Sequence, residues 1–125
     1  MTTSNEPSTV GAPVRRFKNP DYQNRAANLA ELRQQIDQLD THIIELLAQR
    51  ALCVQDATRF KLDAFQVAAP ARQAQVFERV RSLAQAHEKS FPNFPDIVES
   101  TYRTLVAGFI AAEQQLFQET EVIEK

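Results

Sequence analysis

With 125 residues the chain has the length of one domain, and a hydrophobic content of 43% is enough to build a core. Its formal net charge of −2, from 14 basic and 16 acidic side chains, argues against general nucleic-acid binding, which needs a basic face, but leaves room for a local pocket of cations. Only Gly11 and Gly108 represent glycine, which disfavours β-hairpins and glycine-rich phosphate loops. The lone cysteine, Cys53, can form neither an internal disulfide nor a zinc site by itself, so a reducing compartment suits the chain. The N-terminus lacks the apolar run of a secretory signal, and no window is apolar for long enough to span a bilayer. The expectation is a cytoplasmic protein with neither membrane nor nucleic acid as partner.

Residues 1–27 are rich in Thr, Ser, Asn and Pro and show little periodicity. They read as a flexible N-terminal arm. Its basic cluster, Arg15, Arg16 and Lys18, either touches a partner or is simply solvated.

The strongest pattern begins at Leu29. Apolar or small residues recur at Leu29, Leu32, Ile36, Leu39, Ile43, Leu46, Cys53, Ala57 and Phe60, the seam of a long amphipathic helix. No glycine or proline interrupts residues 21–69. A helix of about 35 residues would be roughly 50 Å long. A chain of this size cannot cover such a stripe alone, so a helix from a second copy is expected against it.

Residues 62–69 read as a loop. Pro70 suits the first turn of a second helix, where its missing N–H costs nothing. Val76, Val80, Leu83 and His87 give that helix an apolar edge, with Phe77 and Ala84 beside it. The run Ser90-Phe91-Pro92-Asn93-Phe94-Pro95 breaks the pattern. A third helix starts near Asp96, whose charge favours a helix N-terminus, with a stripe of Val98, Thr101, Leu105, Phe109, Ala112 and Leu116. Residues 119–125 read as a frayed tail. The predicted fold is all-α: three helices per chain, a very long first helix, and an intertwined helical homodimer, with the helical domain spanning residues 28–118.

Position 50 departs from the seam. An apolar residue is expected there and the sequence supplies Arg50. A buried charge is costly unless paired, so Arg50 snorkels to water, pairs with a carboxylate such as Glu45 or Asp56, or meets a bound anion. Lys61, 11 residues later, lies about 20° away around the axis and about 16 Å along it. Two long side chains could bridge that span to one small polyanion. Arg33 precedes Arg50 by 17 residues, or about 25 Å of helix, too far for one small ligand within one straight helix. An antiparallel two-fold dimer with its dyad near Ile43 and Ile44 would instead bring Arg33 of one chain to the stretch between Arg50 and Lys61 of the other.

Other candidates carry blander readings beside the functional ones. Arg72 and Arg79 lie one heptad apart and could face one pocket, although a solvated face suits Arg79. Gln114 could offer an amide to a ligand oxygen or be an exposed helical glutamine. His42 and His87 have no partners at metal-ligand spacing. Cys53 reads as a small core residue, and Asp37 and Asp40 as solvated helix charges.

The stretch Leu29-Ala30-Glu31-Leu32-Arg33, followed by Ile36-Asp37, Leu39-Asp40, Ile43-Ile44, Leu46-Leu47 and Arg50, with Thr58-Arg59-Phe60-Lys61 extending it, resembles the first helix of the all-helical chorismate mutase family. The resemblance covers about residues 28–117. It implies an intertwined homodimer with two active sites shared between chains, no cofactor, and a dicarboxylate substrate, chorismate or isochorismate. By that resemblance Arg33 reaches into the partner's site, Arg50 and Arg33 hold carboxylates, and Lys61 and Gln114, in Ala112-Glu113-Gln114, stabilise the ether oxygen. Ile110 would help to wall the pocket.

At the start of helix two the sequence departs from the usual mutase pattern of an acidic residue followed by Arg-Glu. It reads Ala68-Ala69-Pro70-Ala71-Arg72-Gln73-Ala74. Ala-Pro-x-Arg with Arg-Phe-Lys is similar to the isochorismate-pyruvate lyase branch, the salicylate-forming enzymes of siderophore pathways, where Arg72 would be an extra substrate contact. The expected activity is therefore the lyase, with chorismate mutase as the alternative or a secondary activity. Both reactions are pericyclic and intramolecular, which fits the lack of nucleophile, metal or general-base motifs. The rival outside enzymes is a non-catalytic helical dimerisation module, which explains the seam but not Arg50 on it.

Overall fold

A computed structural model describes residues 5–124; residues 1–4 of the expected arm and residue 125 of the expected tail lie outside the described residues. Helix α1 spans Leu29–Ala57 and runs into a 3-10 turn at Thr58–Phe60. A short α2 spans Ala64–Ala68, α3 spans Pro70–Gln85 and α4 spans Phe94–Gln118. The described residues are helix, turn and irregular chain, with no strand. None of these helices is long and apolar enough to cross a membrane.

The chain divides into two compact units, residues 1–48 and 49–125. In the first, α1 starts on a reciprocal cap. Asn28 Oδ1 accepts from the Glu31 N–H at 2.9 Å, and Glu31 Oε2 accepts from the Ala27 N–H at 3.0 Å. One of the helix's unpaired donors, Glu31 N–H, and one in the chain that approaches it, Ala27 N–H, are thereby satisfied. The segment before it is tied down as well. The Thr9 carbonyl accepts from the Ala30 N–H at 2.8 Å, the Arg25 carbonyl accepts from the Gln35 amide at 3.1 Å, and the rings of Phe17 and Tyr22 stack 4.4 Å apart. The seam of α1 is largely uncovered in the single chain: Ile36, Leu39, Ile43, Ile44 and Leu46 are all more than half exposed, and α1 buries none of its residues.

In the second unit, α4 is the element on which α3, α2 and the 3-10 turn all pack. Val67, Phe77, Val80, Ala84 and Val106 form its buried apolar core. Helix α3 therefore buries the residues expected beside its edge, Phe77 and Ala84, together with Val80, whereas Leu83 and His87 stay exposed. On α4 the buried positions are Pro95, Val106 and Glu113, the last two one residue away from the predicted Leu105 and Ala112. Of the predicted stripe, Val98, Leu105, Phe109 and Leu116 are half-buried while Thr101 and Ala112 are exposed, and a carboxylate takes a buried position that a hydrophobic count passes over. Arg81 bridges α3 to α4, reaching Asp96 at 2.7 Å and Glu99 at 3.5 Å. The hydrogen bond to Asp96, ahead of the charges of both carboxylates, raises the proton affinity of its guanidinium. Arg103 pairs with the same Glu99 at 3.0 Å and lies 4.4 Å from the Phe77 ring centre.

The stretch expected as a loop between the first two long helices contains α2. Asp63 caps it, accepting from the Gln66 N–H at 2.9 Å, and Val67 is buried to 1% exposure. One short turn cannot show a helical period, so only the capping aspartate marks it in the sequence. Ala69 joins α2 to α3 in the left-handed region, φ 45°, and Pro70 opens α3 as expected. Helix α4 starts at Phe94, slightly before Asp96, after Asn93 at φ 60°. Asparagine tolerates that conformation, whereas alanine at 69 meets the Cβ clash of left-handed backbone. Ala69→Gly is therefore expected to stabilise the protein by about 0.5–1 kcal/mol, the relief of that clash less glycine's added chain entropy. Thermal unfolding checks this, and Asn93→Gly should give a smaller gain.

Candidate active site

The second unit contains a cleft of about 330 Å³, at the small end of ligand sites. Arg50, Lys61 and Arg72 all line it, from the C-terminal half of α1, the end of the 3-10 turn and the first turns of α3. Val54, Val67, Val76, Val106, Phe109 and Ile110 supply apolar wall, and Glu113 from α4 is the one carboxylate among its lining residues. Ile110 thus takes the place expected of it.

Arg50 is half-buried and makes no ion pair among the described residues. The carboxylates suggested for it are engaged elsewhere: Asp56 pairs with Arg59 at 3.1 Å, and Glu45 faces His42 at 3.9 Å. Its guanidinium instead lies 5.3 Å from the Phe109 ring centre and 6.0 Å from that of Tyr102. Aromatic faces attract a cation but do not neutralise it, so Arg50 keeps its charge available to the cleft.

Lys61 follows the 3-10 turn in extended conformation, with its N–H donating to the Thr58 carbonyl at 3.2 Å. Its side chain is 21% exposed, and Nζ lies 3.7 Å from Glu113 Oε2. Nζ also donates to the Gln66 carbonyl at 3.1 Å. Gln66 is itself fixed, its side-chain oxygen accepting from the Leu62 N–H at 2.7 Å. Arg72 is exposed at the cleft's edge, its contact to the Gln75 amide oxygen a long 3.4 Å.

Two of the expected site residues, Arg33 and Gln114, are not among those that line the cleft. Arg33 is exposed in the first unit. Gln114 is half-buried, and its amide donates to the Ala64 carbonyl at 3.0 Å, holding the start of α2. It is not among the cleft-lining residues, whereas its neighbour Glu113 is. Cys53, read as a core residue, is exposed and borders the cleft. Sequence reasoning missed Glu113 and Tyr102. Both were within reach: Tyr102, Val106, Phe109 and Glu113 fall at helical steps on one face of α4, and a carboxylate on an apolar face is as conspicuous as Arg50 on the seam.

This arrangement can hold a compact anion between guanidinium groups and present an ammonium to one of its oxygens. Residues 32–114 match the chorismate mutase type II family. A chorismate mutase of Methanocaldococcus jannaschii is 27% identical over 94 residues, which is 74% of this chain and 91% of that protein. All the cleft-lining residues lie inside the matched span. The chain belongs to the chorismate mutase type II family and is an enzyme of that family.

Proposed function

We propose that the cleft binds chorismate and catalyses its rearrangement to prephenate, and that a second copy of the chain completes the site with Arg33. The observation that carries this reading is the charge in the cleft: three cations line it against a single carboxylate. Among the described residues Arg50 and Arg72 are left without a carboxylate partner, an excess of positive charge that suits a substrate bearing carboxylates.

The reaction is intramolecular. The ether C–O bond breaks while a C–C bond forms between the enolpyruvyl methylene and the ring, so the enzyme must hold the side chain folded over the ring. Arg50, fixed against Phe109 and Tyr102, would grip one carboxylate in the two-pronged geometry natural to guanidinium. Arg33 of the second copy would hold the other. Arg72 at the cleft edge adds charge to the same region. As the C–O bond opens, negative charge grows on the ether oxygen, and Lys61 is the donor suited to meet it. Gln114 is the second donor by the resemblance. An amide has two N–H groups; one is given to Ala64, and the proposal assigns the other to the substrate.

The second copy is supported by α1. Its exposed row of Ile36, Leu39, Ile43, Ile44 and Leu46 is the kind of apolar stripe that helices cover by pairing, and a two-fold pairing about Ile43 and Ile44 would present Arg33 to the partner's cleft.

A second reading, isochorismate-pyruvate lyase, is favoured by one observation. The α3 residues that line the cleft, Arg72, Gln73 and Val76, include no carboxylate to hold a substrate hydroxyl. There the ring hydrogen would pass to the methylene as the C–O bond breaks, leaving salicylate and pyruvate. The family and the named relative support the mutase above it.

Incubating the pure protein with each substrate and separating the products decides between them. Prephenate from chorismate is expected; salicylate and pyruvate from isochorismate, with no prephenate from chorismate, would transfer the assignment to the lyase. Lys61→Ala is expected to lower kcat by about 10²–10³, and an unchanged kcat would remove it from the chemistry. Arg50→Met keeps an unbranched side chain against Phe109 and Tyr102. It is expected to preserve helical content by circular dichroism while weakening chorismate binding in calorimetry by about 10–150-fold, the loss of a charge-assisted hydrogen bond.

A further inference from the structure

The proposed chemistry leaves two buried polar side chains of the second unit without a task. Thr58 and Glu113 are 3% and 4% exposed. Thr58 Oγ1 lies 3.3 Å from Glu113 Oε2 and 3.2 Å from the Val54 carbonyl, so its one proton is shared between two acceptors. The same Oε2 is the oxygen that Lys61 Nζ approaches at 3.7 Å. A carboxylate this deeply buried is costly unless paired. An apolar residue at 113 would continue the face made by Val106 and Phe109 and would leave the cleft more positive, hence a stronger trap for an anion. Glu113 therefore opposes both packing and simple anion affinity.

We propose that Glu113, held by Thr58, is a positioning residue that fixes the Lys61 ammonium at the point where it meets the leaving ether oxygen. The inference rests on the reaction proposed above. A lysine side chain has a flexible four-carbon stem and carries its charge on three rotatable donors. One donor is committed to the Gln66 carbonyl, the charge of Glu113 draws a second, and the third is left to point at a ligand. The backbone around Lys61 is tied to the same helix. Gln114, the next residue on α4, holds the Ala64 carbonyl, so adjacent residues of α4 secure the lysine's head and the chain that follows it. Preorganisation of this kind lowers the barrier because the donor does not have to be gathered as charge develops.

A double-mutant cycle on the full chain separates positioning from a structural role. Glu113→Gln is expected to lower kcat by about 10–100-fold, the scale of an ångström-level misplacement, with KM unchanged or lower because a repulsive charge has gone. Thr58→Val should lower kcat by a smaller factor. In the Lys61→Ala background, Glu113→Gln should change kcat by less than about twofold, because the two residues act as one unit. Equal losses with and without Lys61, no loss at all, or a loss confined to KM would each overturn the assignment. If Glu113→Gln fails to fold, Thr58→Val completes the same cycle with Lys61→Ala. A readout without turnover is the side-chain order parameter of Lys61 in lysine-labelled protein. It should fall in Glu113→Gln, or in Thr58→Val if that variant must stand in, and an unchanged value contradicts the proposal. Failure of the wild type to rearrange chorismate would strike the proposed reaction alone, since the order parameter still reports whether Glu113 restrains Lys61.

Discussion

The second unit is organised around an imbalance of charge. Arg50, Lys61 and Arg72 line one cleft and meet one carboxylate there. Charges drawn out of water demand partners, and this chain uses different devices for each. Arg50 is braced by aromatic faces that hold it without neutralising it. Lys61 is gripped by a buried carboxylate and a carbonyl. Arg72 stays at the edge, open to solvent. The two charges that meet no carboxylate in the cleft are tolerated because the cleft is open to solvent, and under the proposed function a dianion displacing water there would strengthen their attraction.

Helix α4 makes this possible by serving two purposes with one face. Val106 is core, Phe109 and Tyr102 brace Arg50, and Glu113 reaches Lys61. The short α2 brings the Gln66 carbonyl to the lysine, and its own ends are held by Asp63, Gln114 and Gln73, whose amide donates to the Ala68 carbonyl at 2.6 Å. The bonds that Gln66, Asp63 and Gln73 make are local in sequence, and those from α4 are not. The Gln114 and Glu113 contacts close loops of 50 and 55 residues, so the site exists only when α4 has docked.

This also marks how far the sequence could be read. The long first helix, the proline start of α3 and the break before α4 follow from period and punctuation, which are local properties. Arg50 and Lys61 share one cleft because eleven residues return nearly to the same side of a helix, and the intervening 3-10 turn does not undo that. Helix α2 escaped because five residues carry no period, and Glu113 because a hydrophobic count treats a carboxylate as surface. The amide of Gln114 depends on which neighbours tertiary packing supplies, and no spacing rule contains that information, whereas the Asp56–Arg59 pair is local, at i,i+3. The expectation of a lyase rests on Ala-Pro-x-Arg with Arg-Phe-Lys and on the missing carboxylate at the start of α3. The α3 residues that line the cleft include no carboxylate, and Glu113 of α4, which does line it, faces Lys61 and Thr58.

The central claim is that the catalytic cleft belongs to one chain and one of its substrate-binding cations to a second. Subunit complementation tests it most directly. Arg33→Ala and Lys61→Ala proteins, each purified with little chorismate turnover, are mixed, unfolded and refolded together. In a two-fold dimer with shared sites, each mixed dimer regains one intact cleft, and activity should recover to about a quarter of the wild type at equal total protein. If the mixture shows no more than the sum of its parts, Arg33 does not act across an interface and the shared site is wrong.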